Sequence, residues 1–229
     1  MQTPTKLLNR NYLLQWQGQT VSRIGTQLFT AAMVFWIKRA TGSASIIGLI
    51  SLVAGIPAIL LTPIGGAVAD RFSRRKIIIA ADATRGTALA ALTLLLFLRP
   101  DATTAILVSI FAFAVLNAII DAFFGPAISA TIPDLVPHNR VGSANSMGQL
   151  SYQVSIFLGQ GLGGLLFRLL GAPVLFLVNS LSFLYSATSE VFVKIPQTLP
   201  ARRPTTVREQ FRAFGGDILD GLRYIRGRS

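Results

Sequence analysis

The chain has 229 residues, of which 52% are hydrophobic and 13% are charged, about half the charged fraction of a typical soluble domain. This composition excludes an ordinary soluble protein, which could not bury so much apolar surface. The net charge of +12 would suit nucleic-acid binding if the basic residues formed one surface, but they fall between apolar segments. The absence of cysteine excludes disulfide bonds and thiolate metal sites.

Six apolar segments follow one another along the chain, each close to the roughly 20 residues that a helix needs to cross a bilayer. The sequence therefore predicts an all-α membrane protein with six transmembrane helices. The first segment should remain as a spanning helix, because residues 1–10 are polar and no small-residue cleavage site follows it. The predicted spans are residues 12–37, 45–68, 77–98, 104–124, 144–167 and 173–193.

Basic residues are distributed unequally between the two sides that these spans define. With the N-terminus on the inner side, fifteen Lys and Arg residues fall in inner segments and four in outer loops, while Arg23 and Arg85 lie within spans. Cytoplasmic loops carry an excess of Lys and Arg. We therefore expect a multi-pass protein of the cell inner (plasma) membrane with both termini in the cytoplasm.

The first span is unusually polar for a membrane helix. Arg23 lies about halfway along it, among several glutamines that include Gln27. A charged residue at a helix centre costs roughly 2.5–3.5 kcal/mol on insertion scales, so it needs a partner or a function. Two interpretations remain open: Arg23 and Gln27 line a hydrated central cavity, or Arg23 is a structural cation that pairs with another helix.

A dense charge cluster separates the second and third spans. Gly66 lies one helical turn before Asp70, where a glycine would let another helix approach closely. Arg71, Arg74 and Arg75 follow. Basic residues alone would anchor a cytoplasmic loop. The added carboxylate can form ion pairs that lock one arrangement of neighbouring helices, which indicates a gating motif.

These residues resemble the signature loop between the second and third helices of major facilitator superfamily transporters. Gly66, Asp70, Arg71, Arg74 and Arg75 match its pattern Gly-x-x-x-Asp-Arg-x-Gly-Arg-Arg, and the chain departs from it at position 73, where serine replaces the usual glycine. Other segments are similar, in the same order, to the exporter branch that includes the enterobactin exporter and macrolide efflux proteins. These segments are Thr41-Gly42-Ser43, Ala81-Asp82-x-x-Arg85, Ile132-Pro133-Asp134-Leu135-Val136-Pro137 and Ala144-Asn145.

A charge network is predicted around the third span. Asp82 and Arg85 are three residues apart, on one helical face, near the predicted inner end of that span. Asp121 lies close to the predicted inner end of the fourth span and is placed to join them. We expect this network to extend the ion pairs of Asp70 and Arg74 near one membrane face, in a gating or structural role rather than in contact with substrate.

The fifth span carries a small-residue face. Gly159 and Gly163 are four residues apart and, with Gly164, would let another helix pack closely. The run also resembles the antiporter motif of exporters in this superfamily, with Gln160 in the place of a proline. Gln160 has either a packing role or a direct ligand role. Gln160 is therefore a candidate cavity residue. Asn117, which lies nearer the interior of the fourth span, is another.

The composition changes after the sixth span. Glu190, near the inner end of that span, is expected to be an interfacial anchor. The domain prediction is a six-helix N-terminal transporter bundle over residues 1–193. Residues 194–229 are predicted to form a proline-marked cytoplasmic linker with a basic amphipathic helix, which leads toward an absent second half.

The resemblance implies one half of a twelve-helix carrier, and the chain is expected to be a truncated, split or half-size form. Its function is predicted to be secondary active transport, with proton-coupled efflux of a small amphipathic compound, such as a drug or siderophore, by alternating access. The alternative is a non-transporting half-carrier that acts as a membrane scaffold or regulatory subunit.

The expected partners are a small-molecule substrate, the lipid bilayer and a second six-helix half or another copy, with no nucleic acid. No enzyme activity, cofactor or metal site is predicted. The single histidine, His138, falls in a predicted cytoplasmic loop, and no catalytic set can be assembled within the membrane.

Overall fold

The computed structural model describes residues 6–197, and all of their regular secondary structure is helical. From residue 198 onward, the predicted linker and amphipathic helix lie outside the described residues. A short 3₁₀ turn, His138–Arg140, precedes the last helix. The helices are α1, Arg10–Thr41; α2, Ser45–Arg71; α3, Arg74–Leu98; α4, Thr103–Leu135; and α5, Val141–Val191.

Four of the helices in the described part, α2 to α5, are long and apolar enough to cross a membrane. α1 has 32 residues, so it is also long enough, but its glutamines and Arg23 make it more polar than the other four. α1 packs along α5 and α2 packs along α4, while α3 contacts both α4 and α5. The chain is thus an all-helical bundle whose most polar helix is covered by its longest.

α5 is a 51-residue element that doubles back at Gly171. A straight helix of this length would measure roughly 77 Å, far more than the hydrocarbon core of a bilayer. Gly171 has φ 76° and ψ 169°, a backbone conformation that glycine adopts without the steric penalty of a side chain. We call residues 141–170 the first arm and residues 172–191 the second arm.

The two arms run in opposite directions along α1. From the start of α1 towards its end, contacts with the first arm advance along the chain, whereas those with the second arm go backwards. First-arm pairs are Tyr12 with Ala144, Trp16 with Met147 and Gln27 with Gly159. Second-arm pairs are Leu14 with Ser189, Gly18 with Ser186, Gly25 with Ser182 and Phe29 with Phe176.

Glycines allow the arms to lie close to α1. A Cβ atom added at Gly159 would collide with Gln27, and one added at Gly163 would lie 2.5 Å from the Cβ of Ala31. Gly164 faces Phe35, whose ring carbon would be 3.3 Å from an added Cβ. The structure therefore places all three glycines of the predicted packing face against α1.

α4 is longer than predicted, because it continues through Pro126 and Pro133 and ends at Leu135 rather than at residue 124. Proline lacks an N–H and usually interrupts a helix, but neighbouring helices stabilise such positions inside membrane bundles. The loop predicted before the fifth span is therefore reduced to a short connection that includes the 3₁₀ turn. This extension moves Asp121 from the end of a helix to its interior.

Ser73 begins α3 as its N-cap residue. Its φ is −62° and its ψ is 109°, so this position does not require glycine. The hydroxyl oxygen accepts a long hydrogen bond of 3.5 Å from the backbone N–H of Lys76. The serine that departs from the signature pattern therefore suits the start of the helix, where hydroxyl side chains satisfy free N–H groups.

The close approach of α2 to α4 depends on Gly65, not on Gly66 as the sequence analysis expected. A Cβ atom at Gly65 would overlap the carbonyl group of Ala122, whereas no atom of residues 6–197 that could obstruct it lies within 4 Å of a Cβ atom built at Gly66. The reason is rotational, because successive residues of an α-helix point about 100° apart. Only one of two adjacent glycines can face the neighbouring helix.

Replacing Gly65 by alanine should therefore destabilise the protein, whereas the matched change Gly66→Ala should not. The added methyl group at position 65 would force α2 away from α4, and overpacking of this kind typically costs about 1–3 kcal/mol. Alanine at position 66 meets open space and should be neutral or slightly stabilising. Thermal unfolding of both variants in detergent tests this, and equal losses of thermal stability would contradict the assignment.

Candidate functional site

A polar cavity of about 610 Å³ lies between α1, α3, α4 and both arms of α5. Three of the predicted cavity residues, Arg23, Gln27 and Asn117, lie on its wall. Gln160 does not, since it is exposed on the first arm while its neighbour Gly159 packs on α1. The structure thus places Gln160 outside this cavity.

Arg23 reaches from the middle of α1 to the first arm of α5. Its Nη1 donates to the carbonyl oxygen of Gly148 at 2.8 Å, and the side chain lies half-buried on the cavity wall near Tyr152. Among residues 6–197, no carboxylate lies within 4.0 Å of its guanidinium group. Arg23 therefore joins two helices and also presents to the cavity a cation that has no anionic partner in the described part of the chain.

The charge cluster around Arg85 lies beside the same cavity. Its guanidinium contacts Asp121 of α4 and lies 3.5 Å from Asp82, one turn earlier on α3. The rings of Phe124 and Phe183 lie 4.6 and 5.6 Å from the Cζ atom, close enough for cation–π attraction. The Asp121 side chain is 54% exposed and lines the cavity, whereas Asp82 is fully buried.

The Arg85 cluster lies inside the helices rather than at their ends, and its position near one membrane face stays a prediction. Arg85 follows Arg74, the first residue of α3, by 11 positions, which corresponds to roughly 16 Å along the helix. Asp121 lies well inside α4 because that helix continues to Leu135. Among the described residues, no hydrogen bond or ion pair joins Asp82, Arg85 or Asp121 to Asp70 or Arg74. The predicted single network is two separate clusters.

Gln19 extends the Arg85 cluster to Glu190 of the second arm. Its Nε2 lies 3.1 Å from Asp82 Oδ2, 3.1 Å from Ser186 Oγ and 2.7 Å from Glu190 Oε1. Glu190 is only 2% exposed, so the expectation that it is an interfacial anchor is wrong. The sequence could not reveal this burial, because the amide that accompanies the carboxylate comes from a helix 171 positions away in the chain.

Arg74 is the centre of the signature loop, residues 70–76. Its Nη1 lies 2.7 Å from Asp134 Oδ2 and donates to the carbonyl oxygen of Ala130 at 2.9 Å. Asp70 is 3.7 Å away, and its side chain is 75% exposed. Arg71 is also exposed. The closest ionic partner of Arg74 is thus on α4, in the segment that the sequence analysis used only for its family resemblance.

The signature loop is also bonded to the last residue of α5 and to the segment that follows it. Arg75 donates to the carbonyl oxygen of Val191. The side chain of Gln197 accepts from the backbone N–H of Arg74 at 2.9 Å and donates to the carbonyl oxygen of Phe72 at 3.1 Å. Sequence reasoning missed these contacts because it treated residues from 194 onward as a linker.

A second cavity, of about 390 Å³, adjoins the polar one. Thr26, Asn117, Asp121 and Phe183 line both. The rest of its wall is mostly apolar and includes Phe29, Met33, Ile50, Ile110 and Phe113. In the part of the chain that the structure describes, no three His, Cys, Asp or Glu side chains are grouped so that they could hold a metal ion.

Residues 4–228 match the family described as Transmembrane secretion effector, and the relatives of the chain include transporters of the MFS type. The chain belongs to the major facilitator superfamily. Macrolide efflux protein A of Streptococcus pyogenes is 26% identical over 182 residues, which cover 80% of this chain and 44% of that protein. The MFS-type transporter YkuC of Bacillus subtilis is 25% identical over 226 residues, covering 95% and 50%.

Solved structures of the superfamily share this fold. A mutant of the peptide transporter POT, crystallised with sulfate, superimposes with a TM-score of 0.67 and 15% identity over 98% of this chain and 47% of that chain. At this identity the likeness concerns the fold alone. The chain spans about half the length of the curated relatives that it matches.

The two carboxylates near Arg74 should differ in their effect on stability. Asp134→Asn should lower the free energy of unfolding by about 1.5–3 kcal/mol, the usual range for a hydrogen bond to a charged group, because it removes the negative charge nearest to a mostly buried guanidinium. Asp70→Asn, the matched control, should cost about 0–1 kcal/mol because that side chain is exposed. Thermal unfolding in detergent distinguishes them. A larger loss for Asp70→Asn would show that the 3.7 Å pair dominates.

Proposed function

We propose that this chain forms a six-helix half of a secondary transporter, in which α1 to α4 and the two arms of α5 each cross the membrane once. The transporter exports small amphipathic compounds by alternating access, in exchange for protons. The observation that carries the proposal is the pair of adjoining cavities, one polar and one largely apolar, between these helices. Their volumes lie within the range of about 300–1,000 Å³ that is usual for small-molecule sites.

The wall chemistry supports an amphipathic substrate. The aromatic and aliphatic side chains of the second cavity would take an apolar body, and the polar cavity would take a hydrogen-bonding or charged end. Arg23 and Asp121 offer opposite charges on different helices of the polar wall. The efflux function named for the streptococcal relative is consistent with such a compound, and we take a macrolide as the first candidate.

The complete carrier requires a second half, either a further six-helix segment or another copy of this chain. Substrate sites of such carriers lie at the interface of their structural repeats. We place the protein in the plasma membrane with both termini in the cytoplasm, because that orientation puts fifteen of the 21 Lys and Arg residues on the inner side.

The contacts of residues 70–76 serve as a gate in this proposal. Arg74 forms an ion pair with Asp134 of α4 and approaches Asp70 at the end of α2. Its backbone N–H donates a hydrogen bond to the side chain of Gln197. A change in the packing of these helices would break several charged contacts together. Such contacts can therefore favour one state of a carrier over another.

Transport can be tested in everted membrane vesicles that contain the carrier of which this chain is part. With an acidic lumen, proton–drug exchange should accumulate labelled erythromycin, and collapse of the proton gradient with an ionophore should stop the accumulation. Binding of erythromycin without accumulation would favour the alternative, a non-transporting scaffold or regulatory half.

Arg23→Leu should reduce this accumulation more than tenfold while leaving membrane insertion intact. Leucine removes a cation from the cavity wall but inserts into a bilayer more easily than arginine, so normal protein levels with lost transport would indicate function. The measurement is initial uptake, normalised to the amount of protein in the vesicles.

Cysteine labelling tests whether position 23 is hydrated, because the native chain has no cysteine. Arg23→Cys should react with a water-soluble maleimide in at least one state of the complete carrier. Asp101→Cys, in an exposed turn, provides the reactive control, and Ala32→Cys, at a position with 0% exposure, provides the unreactive one. Arg23→Cys that stays as unreactive as Ala32→Cys in every state would exclude a cavity role.

A further inference from the structure

A small chamber is lined by Glu190 together with Arg75 of the signature loop. Its volume is about 10 Å³, close to the minimum that holds one water molecule. The residues that line it are Gln15, Arg75, Ile78, Glu190, Val193 and Ile195.

The polar atoms at this chamber lack partners. Glu190 Oε2, both side-chain polar atoms of Gln15 and the Nε of Arg75 are buried and make no hydrogen bond to any residue from 6 to 197. Gln15 is 5% exposed and Glu190 is 2% exposed, so bulk solvent does not satisfy them. Buried polar atoms without partners are rare in proteins, and four of them at one chamber indicate that the site binds something small and polar.

The hydrogen-bond donors around Glu190 are too few for an ionised carboxylate. The Nε2 of Gln19 carries two hydrogens, yet three acceptors lie within 3.1 Å of it, on Asp82, Ser186 and Glu190. Ser186 reaches Glu190 Oε1 only at 3.5 Å. Within residues 6–197, no cation lies within 4.0 Å of the Glu190 carboxyl group.

The charges that face Glu190 come from α3. Asp82 lies on the other side of the Gln19 amide, and Arg85 behind it is shared between Asp82 and Asp121. Arg75 is at the chamber but directs a guanidinium nitrogen to Val191. α1 contributes only the neutral amides of Gln15 and Gln19, and the second arm contributes Ser186. Arg85 thus serves two carboxylates, and the third, Glu190, has no ionic partner within the described part of the chain.

We propose that Glu190 holds the exchangeable proton of the carrier, and that the chamber is the route by which that proton leaves and returns. This rests on the proton exchange in the proposed function. When Glu190 is protonated on Oε2, that O–H can donate a hydrogen bond to water in the chamber or to Gln15 Oε1. On release, the O–H bond breaks and the proton bonds to that water, leaving a carboxylate that accepts from Gln19.

Infrared spectroscopy of the purified full chain tests this directly, without any transport. In a pH titration, the wild type should show the C=O stretch of a buried, protonated carboxyl group that persists past neutral pH. Glu190→Gln, which keeps the shape and accepts the same hydrogen bonds, should abolish the band. Asp101→Asn removes an exposed carboxyl group and should retain it. Retention of the band in a folded Glu190→Gln variant would overturn the proposal.

A second measurement addresses the route. Transfer into D₂O shifts the carboxyl band as the proton exchanges, and Gln15→Leu, which makes the chamber apolar, should slow this shift at least tenfold while the band itself remains. An unchanged exchange rate would exclude the chamber as the path.

A transport measurement distinguishes failure of this inference from failure of the proposed function on which it rests. The Glu190→Gln carrier should lose gradient-driven accumulation of labelled erythromycin but keep exchange of labelled for unlabelled erythromycin at equal pH. Equal, gradient-driven accumulation in both carriers would reject Glu190 as the proton carrier. If the wild type itself accumulates none, the proposed function fails, while the infrared result still decides whether Glu190 holds a proton.

Discussion

The arrangement of the bundle depends on the polar side chains of α1, because membrane hydrocarbon offers them no hydrogen bonds. Gln19 bonds to side chains of α3 and the second arm of α5, and Arg23 bonds to the backbone of the first arm. Gln19 and Arg23 are four residues apart and so lie on one face of α1, and rotation of the helix would break their bonds to the neighbouring helices. The least apolar helix is consequently enclosed by the two arms of α5, and glycines and serines at the contacts let these helices approach closely.

Two ion pairs, at different heights along the helices, join α3 and α4. α3 supplies Arg74 and Arg85, and α4 supplies the closest aspartate of each, Asp134 and Asp121. The arginines are 11 residues apart, close to three full turns, so they lie on the same face of α3. Two charged contacts separated by roughly 16 Å fix the register of the two helices, because sliding one along the other would break both pairs.

The sequence predicts the helical membrane class well, because the length of each apolar segment and the polar residues between segments can be read from contiguous residues. It fails where the answer depends on rotation or on distant partners. α4 continues past the predicted end at residue 124 through Pro126 and Pro133, whose tolerance inside a bundle depends on neighbouring helices rather than on local sequence. Gly66 was chosen over Gly65 because a motif does not state which glycine faces α4. Glu190 is predicted to be an interfacial anchor because Gln19, the amide that bonds to it, is distant in sequence.

The same buried contacts connect the two functional regions of the proposal. Asp121 lies on the cavity wall, where a ligand can reach it, and its carboxylate also pairs with Arg85. Arg85 in turn faces Asp82, whose other oxygen shares the Gln19 amide with Glu190. A cationic ligand group at Asp121 would compete for that carboxylate and leave Arg85 free to pair more fully with Asp82. Glu190 would then experience less negative charge across the amide, so binding in the cavity and proton occupancy at Glu190 would be energetically coupled, and by linkage the coupling acts in both directions.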